Sequence, residues 1–359
     1  MIGRIAAVGG GTVLIVWTLL SALQTVVVPR ATPIALTRVH FRAVRVLFAL
    51  VVRPRMDYET RDRVLALYAP ISLILLPAVW LSLIVIGFTA IFWGSGIDPL
   101  SEAFVISGSS VFTLGFDRPE GYGRAVISFV EAGVGLGVLS LMISYLPTIY
   151  SAFRTREALV GMLEVRAGSP PSPLRLLTRY AAIGWLDRLD DDLFVEWERW
   201  FVDVEESHTS QGSLAFFRSP TANRSWITAA GCVLDTAAIY QSTIEHPPTA
   251  RPDLLLRSGF LCLRRIAAFF GFPFDPDPAP TDPISVTRDE FDALCDELQS
   301  AGVPLRPDRD QAWRDFAGWR VNYDRVLLTL ASMVEAPPAP WSSDRAPAVR
   351  PRPVLRRRR

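Results

Sequence analysis

An all-α membrane protein with a soluble helical domain is the fold class the sequence predicts, and three observations predict it. Residues 8–28, 64–93 and 124–150 are apolar stretches, each long enough to cross a bilayer core. Residues 1–153 carry only eight acidic residues, none before Asp57. The later half instead repeats apolar residues at three- and four-residue steps among charges, as amphipathic helices do, without a strand pattern. A chain that is 50% hydrophobic yet 20% charged is the average of these two halves.

Composition narrows the function classes. The formal net charge is +1, so no bulk basicity calls for a nucleic-acid partner, and every cation is arginine. Cys232, Cys262 and Cys295 are too few and too odd in number for a disulfide framework and read as core thiols. The histidines, at 40, 208 and 246, have no partners at metal-ligand spacing, and a glycine-rich phosphate loop is absent. No nucleophile–base pair stands out. The expectation is a chain that is not an enzyme and carries no cofactor or resident metal.

The first apolar run, 8–28, has a signal peptide as its rival. Its length, the single arginine before it and the lack of a small-x-small cleavage site favour a retained span. Arginines then follow at 30, 38, 42, 45, 53, 55, 61 and 63, an excess that marks the cytoplasmic side of a plasma membrane. This orientation puts the N-terminus outside and the C-terminal domain in the cytosol. Within the connector, residues 36–52 place Arg38, Arg42 and Arg45 on one face at helical spacing. Such a face suits a voltage-sensing helix or an interfacial helix on anionic headgroups, and the lack of acidic countercharge in the preceding span favours the second. Residues 64–93 form an uncharged second span with Pro70 and Pro77 as kink candidates and Trp93 as an interfacial anchor. Residues 94–122 then lie outside, with Asp98, Glu102, Asp117 and Glu120 against one base, Arg118.

Between the second and third spans runs Ser107-Gly-Ser-Ser-Val-Phe-Thr-Leu-Gly-Phe-Asp117. Non-helical backbone of this kind survives at membrane depth only when buried in protein or lining water, which predicts a re-entrant helix and loop. Thr113-Leu-Gly-Phe-Asp117 resembles the selectivity filter of the potassium-channel superfamily, T-V-G-Y-G-D in its usual form. Residues 103–107 resemble that family's pore helix, which here reads as 99–111, and Gly123-Arg124 resembles the start of its inner helix. The resemblance covers roughly residues 64–157 and lacks the second filter glycine: Asp117 follows Phe116, by substitution, which carries a backbone cost, or by loss of a residue. It implies a homotetramer in which Thr113, Leu114, Gly115 and Phe116 offer carbonyls to potassium or another monovalent cation, with Asp117 at the mouth. Weaker selectivity than the full motif supports is the corollary. Ser107, Ser109 and Ser110 either hydrogen-bond the loop backbone or permit close packing.

In the third span, Glu131 is the one acid well inside and is expected to face the bundle interior or water. Gly133, Gly135 and Gly137 serve either bending or close helix packing, and Pro147 adds a second bending point. The chain divides into an N-terminal span and connector (1–63), a pore domain (64–157), a helical cytosolic domain (158–335) and a disordered Pro/Arg-rich tail (336–359). In the cytosolic domain, helices are expected at 174–206, 226–240, 254–270, 288–301 and 311–335, with Thr287 and Glu290 at capping-box spacing. The four final arginines suit anionic lipid, or serve as a solubilising tail. A cation-channel subunit is the leading reading. The alternative is a membrane-anchored scaffold or sensor with a non-conducting loop.

Overall fold

The computed structural model of the chain describes residues 1–28, 35–52 and 56–346; Arg30, Arg53, Arg55 and the final arginines lie outside the described residues. Among those residues the chain is all-helical, with one isolated β-bridge between Ile244 and Leu305. Three helices are long and apolar enough to cross a membrane. The chain forms two compact units, one of residues 1–56 and 67–151, the other of Asp57–Ala66 with the chain from Ala152 on.

In the first unit, α1 (Ile2–Val26) buries Gly11, Ile15, Thr18, Ser21 and Ala22. It is followed by α2 (Ala35–Val51), while α3 (Tyr58–Ala66) belongs to the second unit. The long α4 (Tyr68–Gly94) is the hub of the first unit, packing against α1, α2 and α5 (Leu100–Val111). The expected span 64–93 is thus broken at Leu67. Pro70 falls in the first turn of α4, where its missing N–H costs little, and Pro77 lies inside the helix. Glycines let α1 and α4 approach. A Cβ on Gly11 would strike the Gly87 carbonyl oxygen, and one on Gly94 would come within 2.7 Å of the Arg4 carbonyl oxygen. Arg4 also pairs with Asp98 beyond the far end of α4, so the two helices run antiparallel.

Helix α6 (Tyr122–Ala167) is continuous and runs past the apolar stretch 124–150. In the second unit, α7 (Pro173–Ala182) precedes a 3-10 turn and a π-helical turn, Leu189–Phe194, leading into α8 (Val195–Ser210). Gly184, at φ 68°, ends α7 in a left-handed conformation and so interrupts the expected helix 174–206. Then come α9 (Trp226–Thr243), α10 (Arg251–Phe270), α11 (Arg288–Ser300), α12 (Arg309–Arg320) and α13 (Asp324–Val334). Helix α9 is buried almost all round, as its near-uniform small and apolar sequence demands. The three cysteines are free and buried, as core thiols should be.

The break between α12 and α13 splits the expected helix 311–335. It brings two groups to Asp235: Arg320, fully buried, and the Tyr323 hydroxyl, which donates at 2.8 Å. Arg320 also donates to Asp324 at 2.8 Å and to the Trp341 carbonyl. Trp341 therefore belongs to the domain, and residues 336–346 pack onto it instead of starting a disordered tail. Arg345 adds bonds of 2.9 and 3.1 Å to the two carboxylate oxygens of Glu290, which also closes the capping box with Thr287.

Two outcomes follow from this packing. Gly87→Leu should force α1 off α4 at a cost of about 1–3 kcal/mol, read as a lower unfolding midpoint in detergent. Gly3→Leu, where nothing lies within 4 Å of a new Cβ, should change nothing. Hydrogen bonds from Arg345, helped by the Thr287 backbone, pull the Glu290 carboxyl from its ordinary 4.5 to about 2. A depressed folded value stabilises fully above 4.5, and that contribution disappears as pH falls from 4.5 through 2. Acid-unfolding curves of Glu290→Gln should lack that component.

Candidate functional site

The site is built on α5 and the segment after it. Ala103, Ile106, Ser107, Ser109, Ser110 and Val111 face inward, while Glu102, Phe104 and Val105 are exposed. At the C-terminal end the chain winds back on itself. The N–H of Thr113 donates to the Ser110 carbonyl at 3.0 Å and that of Leu114 to the Ser109 carbonyl at 2.8 Å. Two residues then take left-handed backbone, Thr113 at φ 54° and Gly115 at φ 72°. For a β-branched threonine this is strained, and such strain persists only where surroundings impose it. Asp117 is not in that conformation. The reason is local: Ser109 Oγ donates to the Asp117 carbonyl at 2.9 Å and accepts from its N–H at 3.1 Å. One hydroxyl thereby closes the stretch 109–117.

Thr113, Leu114, Gly115 and Phe116 are all exposed in the single chain, Leu114 by 61% and Phe116 by 69%; Asp117 is half-buried. The segment is held from behind and open in front.

Helix α6 provides the backing. Ser110 Oγ lies 2.6 Å from Ser128 Oγ, and Ser107 Oγ lies 2.5 Å from Glu131 Oε1. Ser107 also donates to the Val85 carbonyl of α4 at 3.1 Å, so three helices meet at one hydroxyl. One turn on, a Cβ on Gly135 would strike the Val111 carbonyl oxygen. Gly135 is a packing glycine. Gly133 and Gly137 are exposed with nothing within 4 Å of a Cβ, and Pro147 is exposed within an unbroken helix.

Of the two surroundings expected for Glu131, the structure shows the bundle interior: its side chain is fully buried behind α5, against Ser107. Helical phase explains this: 128, 131 and 135 share the side of α6 turned to α5. Another face of α6 is exposed and polar, with Ser140, Ser144 and Thr148 following Gly133 and Gly137. These hydroxyls donate to the carbonyls of Leu136, Ser140 and Ser144 at 2.8, 3.1 and 3.2 Å. Each has spent its only proton, so lone pairs alone point outward along about 12 Å of helix. Sequence reasoning passed over these three residues, although their four-residue spacing in an apolar stretch was the available signal.

The acidic loop is less charged than its window implied. Asp98 is paired with Arg4 of α1, while Arg124 donates to the Ser95 carbonyl at 2.7 Å. Among the described residues no group of three or more His, Cys, Asp or Glu side chains could hold a metal ion. Compared with models of known families, with curated proteins and with solved structures, the chain matches none.

The hydroxyl junction behind α5 gives a direct test. Glu131→Gln should keep stability near that of the unaltered chain, because an amide can donate to Ser107 while Ser107 donates to Val85. Glu131→Ala should cost about 1–3 kcal/mol by leaving Ser107 short of a partner. Equal losses in the two variants, compared by thermal unfolding, would show that the carboxyl matters for some other reason.

Proposed function

We propose that the chain is the pore-forming subunit of a cation channel, with potassium or another monovalent cation as the permeant ion. The observation that carries this reading is the open, strained segment Thr113–Phe116, held from behind by Ser109. Backbone fixed on one side and open on the other can present carbonyls to an ion in place of water. The outward lone pairs of Ser140, Ser144 and Thr148 support the same sign of charge, and no basic side chain interrupts that face.

One chain cannot enclose a path. Phe104, Phe112, Leu114, Phe116 and Phe129 are exposed apolar side chains around the segment, suited to burial against further copies. By its resemblance to four-walled filters the assembly is a C4 homotetramer. The arginine bias sets the N-terminus outside and the helical unit in the cytosol of a multi-pass plasma-membrane protein. No catalytic step and no nucleic-acid partner belong to this reading. The alternative, a non-conducting scaffold or sensor, draws on the missing second glycine after Phe116.

Purified protein in planar bilayers under bi-ionic potassium and sodium decides between them. The expected reversal potential favours potassium, and Ser109→Ala, which frees Asp117, should move it towards equal permeability. Anion permeation would refute the cation reading. Absence of current from confirmed tetramers would favour the scaffold.

A further inference from the structure

Helix α2 has three sides, which follow from 100° per residue. The first holds His40 and Val44, buried, with Phe41 and Phe48 beside them. It faces the start of α4: His40 Nε2 lies 2.7 Å from the Ser72 carbonyl oxygen, Tyr68 donates to the Phe41 carbonyl at 3.1 Å, and the rings of Phe48 and Tyr68 are 5.8 Å apart. The second side carries Arg38, Arg42 and Arg45, with Arg42 exposed. The third carries Val39, Val46, Leu47 and Leu50, exposed by 59–75%.

Position adds a further constraint. Tyr68 and Ser72 are in the first turns of α4, and Thr37 of α2 meets Ser21 and Thr25 near the last turns of α1, at 3.3 and 2.9 Å. Helix α2 therefore sits where α1 ends and α4 begins, the end of the unit away from the Arg4–Asp98 pair. At the end of a membrane-spanning pair, an apolar row beside a cationic row matches the boundary between acyl chains and phosphates. Residues 1–56 contain seven arginines and no acid, so this stretch of chain is strongly cationic.

We propose that α2 is a binding surface for anionic phospholipid. Val39, Val46, Leu47 and Leu50 enter the acyl region, and Arg38, Arg42 and Arg45 hold headgroup phosphates. The surface needs no ion conduction, so its test is independent of the channel reading.

The test uses the full chain in nanodiscs, with Val46→Cys carrying a bimane dye; the three native cysteines are buried and spared. Brominated phosphatidylglycerol should quench the dye more than brominated phosphatidylcholine at equal mole fraction. Arg42→Gln, at an exposed position, should lower that preference by up to about fivefold, and Arg42→Lys should retain most of it. Equal quenching by the two lipids would overturn anionic recognition, leaving apolar contact only. Quenching by neither would mean that protein covers this face. Loss of the preference in millimolar inorganic phosphate would assign the arginines to a free anion instead of a lipid.

Discussion

Backbone set among helices long and apolar enough to cross a membrane has to satisfy its own hydrogen bonds, and Ser109 is where this chain meets that constraint. Its carbonyl receives the Leu114 N–H and its hydroxyl engages both the N–H and the carbonyl of Asp117. Removing that side chain would leave the far end of the segment without the partner that fixes its register. Left-handed Thr113 and Gly115 lie inside the closed stretch, so the strain is confined between two anchored points. Ser107, Ser110 and Gly135 then fix the helix that carries Ser109, through Glu131, Ser128 and the close approach of Val111.

Behind this site each helix has a distinct burden. The many buried positions of α4 receive α1, α2 and α5, so its apolar sequence carries no stripe. Helix α1 reaches it only because glycines remove the side chains between them. In the second unit the problem is the reverse: charge has been taken into a core. Arg320 is fully buried, and its attraction to Asp235 and Asp324 offsets the desolvation of all three. Burial pushes the Asp235 carboxyl up while the Arg320 guanidinium opposes that rise. The same arginine holds the Trp341 carbonyl, so one buried cation orders both the core and the strand of chain that follows α13.

The unbroken α6 has charge chemistry in its second-unit part as well. Arg156 is buried and donates to His208 at 3.1 Å, to the Leu214 carbonyl at 2.8 Å and to the Phe217 carbonyl at 2.8 Å. Burial first, and then Arg156, hold His208 well below the ordinary histidine range, so its Nε2 stays an acceptor. Arg218, on the same loop, pairs with Asp62 of α3. A single loop thus holds the last part of α6 and the helix that leads into α4, both through arginine.

The sequence by itself determined the elements whose cause is local. Long apolar runs can satisfy their backbone within one segment as helices, so three helices long and apolar enough to cross a membrane were legible, and Thr287 with Glu290 marked the start of α11 before any packing was known. Thr113-Leu-Gly-Phe pointed to the segment itself because glycine and small polar residues there are clustered between two apolar stretches. Tertiary structure alone decided what depends on helical phase and on distant partners. Glu131 reads in one dimension as facing either the bundle interior or water, and its phase turns it to Ser107, twenty-four residues earlier in the chain. Asp98 counts as free negative charge until Arg4, ninety-four residues away, neutralises it. Trp341 looks like part of a Pro-rich tail until Arg320 supplies a donor for its carbonyl. Composition and spacing report what a residue can do, whereas burial and hydrogen-bond partners, which decide what it does, come from chain brought close only by the fold.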